Sequence, residues 1–403
     1  MCNIDNIKIN TDINDIVKYI DHIFEDSLKI WASDIHIEPT KDFVLIRYRL
    51  DGSFIIKDKL SNDNFASLIT RYKVLWSLKI DESRIPQDWK IAFKSKETWE
   101  EVDIRLSTLP TNQWEKIVMR LLRQDASLLD LNKLWFIDHN LSRVKEVLKS
   151  KYWIILVAWP TWSWKSTTLF SLLKYFNPLE KNISTLEDPV EYNINYINQS
   201  QIAPQKWFTF ASWLKSLLRQ DPDIIMVWEI RDKETAVLST EAALTWHLVL
   251  STIHTNSASW TIQRLMNMWI ESFLISSSLK MVISQRLVKK ICPSCKVKLD
   301  VSDSLKRKVW SYLDWIIDAD IDDIIFYHWE WCDSCWHTWY KWRIWVHEVL
   351  VMSSDLEQAI LNNASDNEIK KIAMDNWMLT IVQDALLNSV MWNTTLEEAF
   401  KLV

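Results

Sequence analysis

The chain contains a single glycine, Gly52, in 403 residues, whereas average usage of about 7% would give roughly 28. Glycine normally supplies the positive-φ positions of turns and helix ends, so a chain without it has few ways to build them. Tryptophan, usually a rare residue, occurs 26 times. The two counts together come close to the glycine content of an ordinary chain of this size. We therefore expect most tryptophans to stand where the natural protein has glycine.

The remaining composition, 48% hydrophobic and 25% charged, is ordinary for a globular protein of two or three domains and excludes disordered, collagen and coiled-coil classes. The longest apolar stretches, such as 153–158, fall far short of the roughly 20 residues of a membrane-spanning helix, and the first residues form no signal peptide. We expect a cytoplasmic chain. A net charge of −6 provides no global attraction to nucleic acid, so no direct nucleic-acid partner is expected.

A helical pattern followed by alternating patterns opens the chain. Apolar residues at helical spacing predict an amphipathic helix over 13–28, and alternation predicts two strands that lead to the hairpin signal Asp51-Gly52. These elements predict a small α+β domain over 1–125. We expect 126–140 to connect it to the next domain.

Short apolar runs separated by helical segments follow residue 150. Continuous apolar strands that alternate with helices predict a buried, largely parallel sheet of α/β class. We assign 141–403 to this second domain and expect helices over 355–403. The predicted strands are 154–158, 183–186, 224–227 and 248–251.

The first of these strands is followed by a pattern typical of a phosphate-binding loop. With glycine in place of three tryptophans, the segment reads G-P-T-G-S-G-K-S and lies between a strand and a helical pattern, as a P-loop requires. The backbone N–H groups of such a loop bind the phosphates of ATP, its lysine reaches the β- and γ-oxygens, and its serine hydroxyl binds Mg²⁺. These two side chains are Lys165 and Ser166. The predicted nucleotide-binding residues are Trp159, Pro160, Thr161, Trp162, Ser163, Trp164, Lys165, Ser166 and Thr167.

Indoles at positions 159, 162 and 164 would fill the phosphate site or prevent the loop from closing. A gene that uses UGA for glycine, translated with a code that reads UGA as tryptophan, would produce this sequence. If the tryptophans are genuine, the favoured interpretation is a zinc scaffold that does not hydrolyse nucleotide.

Several segments, in order along nearly the whole chain, resemble the type II secretion and type IV pilus assembly ATPases. The longest reads L-R-Q-D-P-D-I-I-M-V-W-E-I-R-D. The resemblance implies a RecA-like P-loop NTPase core and an N-terminal domain that moves against it. It also implies a homohexamer that couples ATP turnover to assembly of a pilus or pseudopilus. The segments that carry the resemblance are 31–39, 86–89, 107–110, 187–191, 218–232, 245–247 and 251–256.

The same resemblance implies an inner-membrane platform protein as partner and a peripheral association with the inner membrane. A DNA-uptake or retraction motor with the same core is the alternative within this superfamily. Family members often carry a further N-terminal docking domain, which we do not expect in a chain that opens directly with the α+β domain.

Acidic residues follow two of the predicted core strands. Glu229 comes after 224–227, where a carboxylate can lie beside Mg²⁺ and orient the attacking water, and we expect it to be the catalytic glutamate. Glu187 and Asp188 follow 183–186. The resemblance makes this pair the acidic box of the family, with Glu187 contributing to the Mg²⁺ and water site. Surface acids at a strand end are the alternative interpretation.

The resemblance assigns sensing roles to His247 and His254, which flank the strand 248–252, while a packed or capping histidine is the alternative. Arg105 and Arg120 lie in N-terminal segments that resemble family motifs. Closure of the N-terminal domain would bring such guanidinium groups onto the transition-state charge as arginine fingers. Structural salt bridges are the alternative for these arginines.

Four of the five cysteines form two C-x-x-C pairs, which in a cytoplasmic chain indicate a metal site before disulfides. Four thiolates at this spacing suit a structural Zn²⁺ and leave no open position for a substrate. The resemblance also implies such a module, which we place at 290–346. His328 and His337 are alternative ligands, and Cys2 is expected to be a free thiol. The predicted ligands are Cys292, Cys295, Cys332 and Cys335.

Overall fold

A computed structural model of the chain describes residues 9, 15–123, 129–150, 152–159, 165–203, 209–317, 324–330, 332, 335 and 338–403, without the side chains of Lys165 and Ser166. The chain divides into two compact units, 1–125 and 126–403. Each unit contains its own hydrophobic core.

The first unit consists of helices on one antiparallel sheet. Helix α1 begins where the Asp15 carboxylate accepts a hydrogen bond from the backbone N–H of Val17 at 3.0 Å, which satisfies a free donor at the helix start. Phe24 of this helix lies in the same core as Ile35 of the sheet. The described elements are α1 (Ile16–Lys29), β1 (Asp34–Pro39), β2 (Val44–Leu50), β3 (Ser53–Leu60), α2 (Phe65–Leu75), β4 (Gln87–Lys94), β5 (Glu101–Pro110) and β6 (Glu115–Arg123). Among them the strand order is β3-β2-β1-β6-β5-β4.

The second unit alternates strands and helices as the sequence predicts. Its described elements up to the cysteine pairs are α3 (Asp138–Leu148), β7 (Trp153–Ala158), α4 (Lys165–Leu173), β8 (Ile183–Glu187), β9 (Asn198–Gln201), α5 (Phe210–Leu217), β10 (Ile224–Val227), α6 (Lys233–Leu244), β11 (Leu248–Ile253), α7 (Ala258–Asn267), α8 (Ser272–Ser278) and β12 (Leu279–Ile291). The elements that follow are β13 (Lys296–Leu299), α9 (Asp303–Leu313), β14 (Phe326–Trp329), β15 (Tyr340–Val351), α10 (Ser354–Leu361), α11 (Asp366–Asp375), α12 (Ile381–Val390) and α13 (Leu396–Phe400).

Seven strands of the described part of this unit form one sheet in the order β15-β12-β7-β11-β10-β8-β9. Neighbouring strands from β12 to β9 pair in parallel, and β15 is antiparallel to β12. The central strands β7, β10 and β11 are almost continuously buried, because helices cover both faces of a parallel sheet. The expected α/β class with a parallel sheet is confirmed.

Residues 129–137, which the sequence analysis assigns to the connection between domains, are packed within the second unit. Leu129, Leu131, Leu134 and Phe136 are buried in its core. A single 3₁₀ turn, Leu131–Lys133, begins where the Asp130 side chain accepts from the Asn132 N–H. The apolar residues of this segment therefore attach it to the core.

The C-terminal segment is helical, as expected for 355–403. Helices α10 to α13 each begin at a serine or threonine whose side chain accepts a backbone hydrogen bond, the usual chemistry of a helix N-cap. Across the described part of the chain, no helix combines the length and the apolar composition needed to cross a membrane.

Tryptophan occupies most of the positions at which the described backbone turns to positive φ. Fifteen non-glycine residues have positive φ, and ten of them are tryptophans. After α7, for example, Trp269 has φ of 64°, its N–H donates to Met266 O, and the Ile270 N–H donates to Leu265 O. This bond pattern is the Schellman ending of a helix, whose left-handed residue is usually glycine. The helices α1, α11 and α12 end in the same way at Trp31, Trp377 and Trp392, and α6 ends at Trp246 with φ of 72° and a bond from the His247 N–H to Ala242 O.

Candidate functional site

The carboxyl ends of four parallel strands lie at one edge of the large sheet. Ala158, the last residue of β7, pairs with Ile253 of β11, and Val227 of β10 pairs with both Ser251 of β11 and Leu186 of β8. Residues that directly follow these strands must therefore emerge side by side. In open α/β sheets this edge is where ligands bind.

Trp159, the first residue of the expected phosphate loop, lies at this edge. Its N–H donates to Ile253 O at 3.2 Å, and its indole is buried with no described partner for Nε1. Pro160, Thr161, Trp162, Ser163 and Trp164 lie outside the described residues.

Helix α4 follows the loop and begins at Lys165. The side chains of Lys165 and Ser166 lie outside the part of the chain that the structure describes. Thr167 is fully buried. The hydroxyl of Thr168 donates to Oε1 of Gln285 on β12 at 2.8 Å, which anchors the first turn of the helix to the sheet. The strand and the helix that flank the expected phosphate-binding loop are therefore present.

Glu229 follows β10 and is 2% exposed. Both of its carboxylate oxygens contact nitrogen atoms: Oε1 lies 2.6 Å from Nε2 of His254, and Oε2 lies 2.8 Å from Nη2 of Arg231. The hydrogen bond to Glu229 raises the pKa of Arg231. A buried carboxylate needs such partners, because an isolated charge in the interior is strongly destabilising.

His254 connects Glu229 with the phosphate loop. It follows β11, and its Nδ1 lies 3.3 Å from the carbonyl oxygen of Trp159. A neutral imidazole has one N–H, so only the protonated ring donates to both the carbonyl and the carboxylate. The ring thus lies between the first residue of the expected phosphate loop and the acid.

Glu187 is fully buried at the end of β8, and burial raises its pKa. Its Oε1 accepts hydrogen bonds from the Thr185 hydroxyl at 2.6 Å and from Nε2 of Gln199 at 2.8 Å. Its Oε2 is buried without a described partner. One oxygen is therefore fixed by the protein, and the other is free to accept from a water or to bind a cation.

His247 lies at the opposite edge of the sheet from these residues. It precedes β11, whereas His254 follows it, so the strand separates them by about 20 Å at about 3.3 Å per residue. Nδ1 of His247 lies 2.9 Å from Ala242 O and 3.2 Å from the Thr245 hydroxyl, at the end of α6. Within one chain, the structure does not bring His247 to the candidate site.

Arg105 and Arg120 are direct cross-strand neighbours on β5 and β6 of the first unit. Nε of Arg120 lies 3.1 Å from Oδ1 of Asp34. Arg105 differs, because its Nε and Nη2 are buried without a hydrogen-bond partner among the described residues. A guanidinium in this state has unused donors for an anionic ligand.

The four cysteines of the two C-x-x-C pairs come together in the second unit. The Sγ atoms of the cluster lie within 4.8 Å of one another. The Sγ distances are 3.9 Å for Cys292 and Cys332, 4.0 Å for Cys295 and Cys335, and 3.4 Å for Cys332 and Cys335. Zn–S bonds of about 2.3 Å in a tetrahedron require sulfur atoms about 3.8 Å apart, so the cluster fits Zn²⁺.

No disulfide joins the four cysteines of this cluster, and burial raises the pKa values of the Cys295 and Cys335 thiols. A divalent cation would supply the positive charge that four thiolates require. Of the alternative ligands, His328 lies on β14, and His337 lies outside the described residues.

Two polar residues of the site were not singled out from the sequence. Arg231 stands within the segment that resembles the family, two positions after Glu229, and its opposite charge at that spacing was the available signal. Gln199 lies on β9, whose residues Asn198–Gln201 are all polar, so no hydrophobic pattern marks it. It donates to Glu187 and to Tyr192 O and accepts from the Ile194 N–H.

The fold and the site define a RecA-like P-loop NTPase core on a parallel sheet. The chain matches the family described as type II/IV secretion system protein over residues 10–401. It is 42% identical over 381 residues to the type IV pilus assembly ATPase PilB of Thermus thermophilus, a match that covers 94% of this chain and 42% of that protein. It is 41% identical over 358 residues to the type II secretion system ATPase E of Vibrio cholerae, with 88% and 69% covered.

The X-ray structure of the ATPase DotB from Legionella pneumophila has the same fold, with a TM-score of 0.70 at 19% identity over 98% of both chains. The chain belongs to the type II/IV secretion system protein family. The resemblance inferred from its motifs is confirmed.

Proposed function

We propose that this chain is an Mg²⁺-dependent ATP hydrolase that works as a hexameric motor in type IV pilus assembly or type II secretion. The names of its relatives support the class of machine. One observation carries the proposal of hydrolysis: the edge of the parallel sheet presents the start of the phosphate loop, His254, Glu229 and Glu187 on adjacent strands.

Each group at this edge has a role in the proposed reaction. The backbone of 159–164 and Lys165 bind the phosphates, and Ser166 and Glu187 hold the metal site. Mg²⁺, when bound, neutralises charge on the phosphate oxygens. Glu229 orients the attacking water, and its oxygens are already held by His254 and Arg231.

Two arginines of the first unit are candidates for the proposed arginine finger. Arg105 is the stronger candidate for an arginine finger, because two of its buried nitrogens have no partner among the described residues, whereas Arg120 contacts Asp34. An always-charged guanidinium placed on the γ-phosphate would stabilise the transition state.

The proposal requires glycine at positions 159, 162 and 164 in the natural protein. The backbone supports this requirement, since ten of the fifteen positive-φ non-glycine residues in the described part of the chain are tryptophans. In the polypeptide as written, bulky side chains stand where phosphates must approach the backbone. That polypeptide is expected to be a scaffold with an intact cysteine cluster and no turnover.

The partners and the location are part of the same proposal. A homohexamer at the cytoplasmic side of the inner membrane, bound to a platform protein, would couple turnover to addition of pilin or pseudopilin subunits. The tetracysteine cluster has a structural role, because four thiolates leave no ligand position open. Light scattering with a non-hydrolysable ATP analogue tests for a mass of six chains.

Nucleotide binding and turnover test the site directly. The triple variant W159G/W162G/W164G is titrated with a labelled ATP analogue and assayed for phosphate release, beside the chain as written. We expect binding and hydrolysis in the variant only. In the same background, Glu229→Gln should preserve binding but lower turnover at least about 100-fold, and Lys165→Ala should weaken both. Undiminished turnover of the Glu229→Gln variant would remove the catalytic assignment.

A further inference from the structure

The contacts of Arg231 point to a role that is separate from those of the expected catalytic and sensing residues. Its guanidinium lies 2.8 Å from Oε2 of Glu229, whereas His254 contacts the other oxygen, Oε1. The arginine is 58% exposed, whereas the glutamate is 2% exposed. The contact therefore brings a solvent-accessible permanent charge onto a buried acid.

The backbone on both sides of Arg231 is fixed. The Ile230 N–H donates to Thr252 O at 2.9 Å, which ties the preceding residue to β11. The following residue, Asp232, is the N-cap of α6, and its carboxylate accepts from the Thr235 N–H at 2.8 Å and from the Thr235 hydroxyl at 3.0 Å. The guanidinium thus extends from a rigid attachment point, which favours one orientation of its contact.

His254 and Arg231, the two partners of Glu229, differ in what their contacts with the carboxylate depend on. His254 also faces the Trp159 carbonyl, so its bond to the carboxylate depends on which ring nitrogen carries the proton and on the position of Trp159. Arg231 stays charged at every physiological pH, and its contact with Glu229 does not pass through Trp159. When the loop binds a ligand and His254 adjusts, Arg231 can keep the carboxylate in place.

We propose that Arg231 is a positioning residue for the reaction: it holds Oε2 of Glu229 so that the carboxylate keeps its orientation while His254 responds to the loop. This proposal rests on the proposed function. It assigns Arg231 no contact with the nucleotide. Loss of the contact should lower the rate of the chemical step and leave nucleotide affinity unchanged, since misorientation of a catalytic group acts on kcat.

The test uses the W159G/W162G/W164G chain and three further substitutions. Arg231→Met removes the charge and the hydrogen bonds but keeps most of the length of the side chain, and Arg231→Lys keeps the charge. Lys215→Met is the matched control, because Lys215 is similarly exposed and pairs with Glu234 at 2.7 Å. We expect Arg231→Met to lower kcat about 10-fold to 100-fold with KM for ATP within about twofold, Arg231→Lys to recover part of the loss, and the control to match the parent chain.

A double-mutant cycle separates positioning from general stability. In single-turnover assays, Arg231→Met should have no further effect in the Glu229→Gln background, because the group that it positions is gone. An equal loss in both backgrounds, or a raised KM at unchanged kcat, would overturn the role of Arg231. If Arg231→Met turns over ATP like the parent chain while Glu229→Gln is inactive, the positioning role of Arg231 is rejected and the proposed catalytic site is not. Full turnover of Glu229→Gln would reject the proposed catalytic site itself.

Discussion

Nε2 of His254 lies 2.6 Å from Oε1 of Glu229, while Nδ1 of the same ring lies 3.3 Å from the carbonyl oxygen of Trp159. One side chain therefore connects the expected catalytic carboxylate with the first residue of the phosphate loop. A shift of the loop must change this ring's contacts, so His254 is suited to report occupancy of the loop to Glu229. His247, at the other end of β11, contacts the end of α6 instead.

The first prediction compares these two histidines. In the chain with glycine at 159, 162 and 164, His254→Ala should lower kcat about 10-fold or more while nucleotide affinity changes little, because Glu229 loses one of its two partners. His247→Ala, at the opposite end of the same strand, is the matched control. It should keep more than half of the turnover, measured by phosphate release. Equal losses in the two variants would contradict the structural separation of the histidines.

The acids of the site could be located from the sequence through a simple rule. Glu187 and Glu229 follow apolar strands, and parallel strands share one carboxyl edge, so their proximity could be predicted without coordinates. The same rule distinguishes His254, which follows its strand, from His247, which precedes it. The resemblance alone had assigned both to sensing.

Other contacts could not be derived from the pattern. The bond from Gln199 to Glu187 depends on how β9 joins the sheet edge, and a strand of four polar residues carries no signal of its register. No pattern in the sequence predicts that Nε and Nη2 of Arg105 are buried without a hydrogen-bond partner among the described residues. The segment 129–137 has few strong periodic signals, and the burial of four of its residues in the core of the second unit could not be derived from that pattern.

The second prediction concerns the metal. The protein as purified should contain about one Zn²⁺ per chain, because the four Sγ atoms are spaced as a tetrahedral site requires. Cys332→Ser, which removes one ligand, should lower zinc content and the melting temperature by several degrees, as expected when metal binding is coupled to folding. Cys2→Ser is the control and should retain zinc. Elemental analysis and intact mass are the measurements, and a mass lowered by two hydrogens per pair would instead indicate disulfides.

The third prediction concerns His347, a buried residue of β15 outside the candidate site. Its ring stacks on Phe136 with centroids 3.7 Å apart, and neither ring nitrogen has a described partner. Burial lowers the pKa of His347 to about 3 from its ordinary 6.5. Between these two pH values the unfolded chain binds a proton at this histidine and the folded chain does not. The free energy of unfolding therefore decreases as pH falls from 6.5 toward 3.

Another buried group acts in the opposite direction. Oδ2 of Asp384 accepts from the His347 backbone N–H at 3.0 Å, Asn140 donates to its Oδ1, and burial raises the pKa of Asp384 to about 8. The folded chain then binds the extra proton, so this acid adds stability as pH falls from 8 toward 4. In the parent protein the two effects offset each other below pH 6.5.

Without the opposing effect of His347, the increase in stability that Asp384 causes as pH falls should become measurable. His347→Phe keeps a ring on Phe136 and should gain stability relative to the parent by about 2 kcal/mol between pH 7 and pH 5, at about 1.4 kcal/mol per pH unit below 6.5. This corresponds to roughly 5 °C in melting temperature. His22→Phe, at an exposed position, is the control for the loss of a histidine outside the core. If the melting temperatures of the parent and of His347→Phe change equally with pH across this range, the prediction is contradicted.

The fourth prediction tests whether tryptophan stands at glycine positions. Trp269 has φ of 64° at the end of α7 and is 79% exposed, so its side chain contributes little packing and its Cβ crowds the left-handed backbone. Trp269→Gly should therefore stabilise the second unit by about 1 kcal/mol relative to Trp269→Ala, which keeps the Cβ at the same φ. Trp246, with φ of 72° and 73% exposed, provides an independent repeat after α6.

Comparing the Gly and Ala variants at one position separates the effect of Cβ on the left-handed backbone from the effect of losing the indole, because both substitutions remove the ring. Thermal unfolding of the four variants measures the difference. If Ala is as stable as Gly at both positions, the left-handed backbone does not select glycine, and the helix ends give no support to a miscoded sequence. The masses of peptides that span positions 159, 162 and 164, from the protein of its source cells, then decide independently, because a peptide with glycine is much lighter than the same peptide with tryptophan. Peptides that carry tryptophan at these positions would mean that the indoles are genuine and that the phosphate loop is blocked.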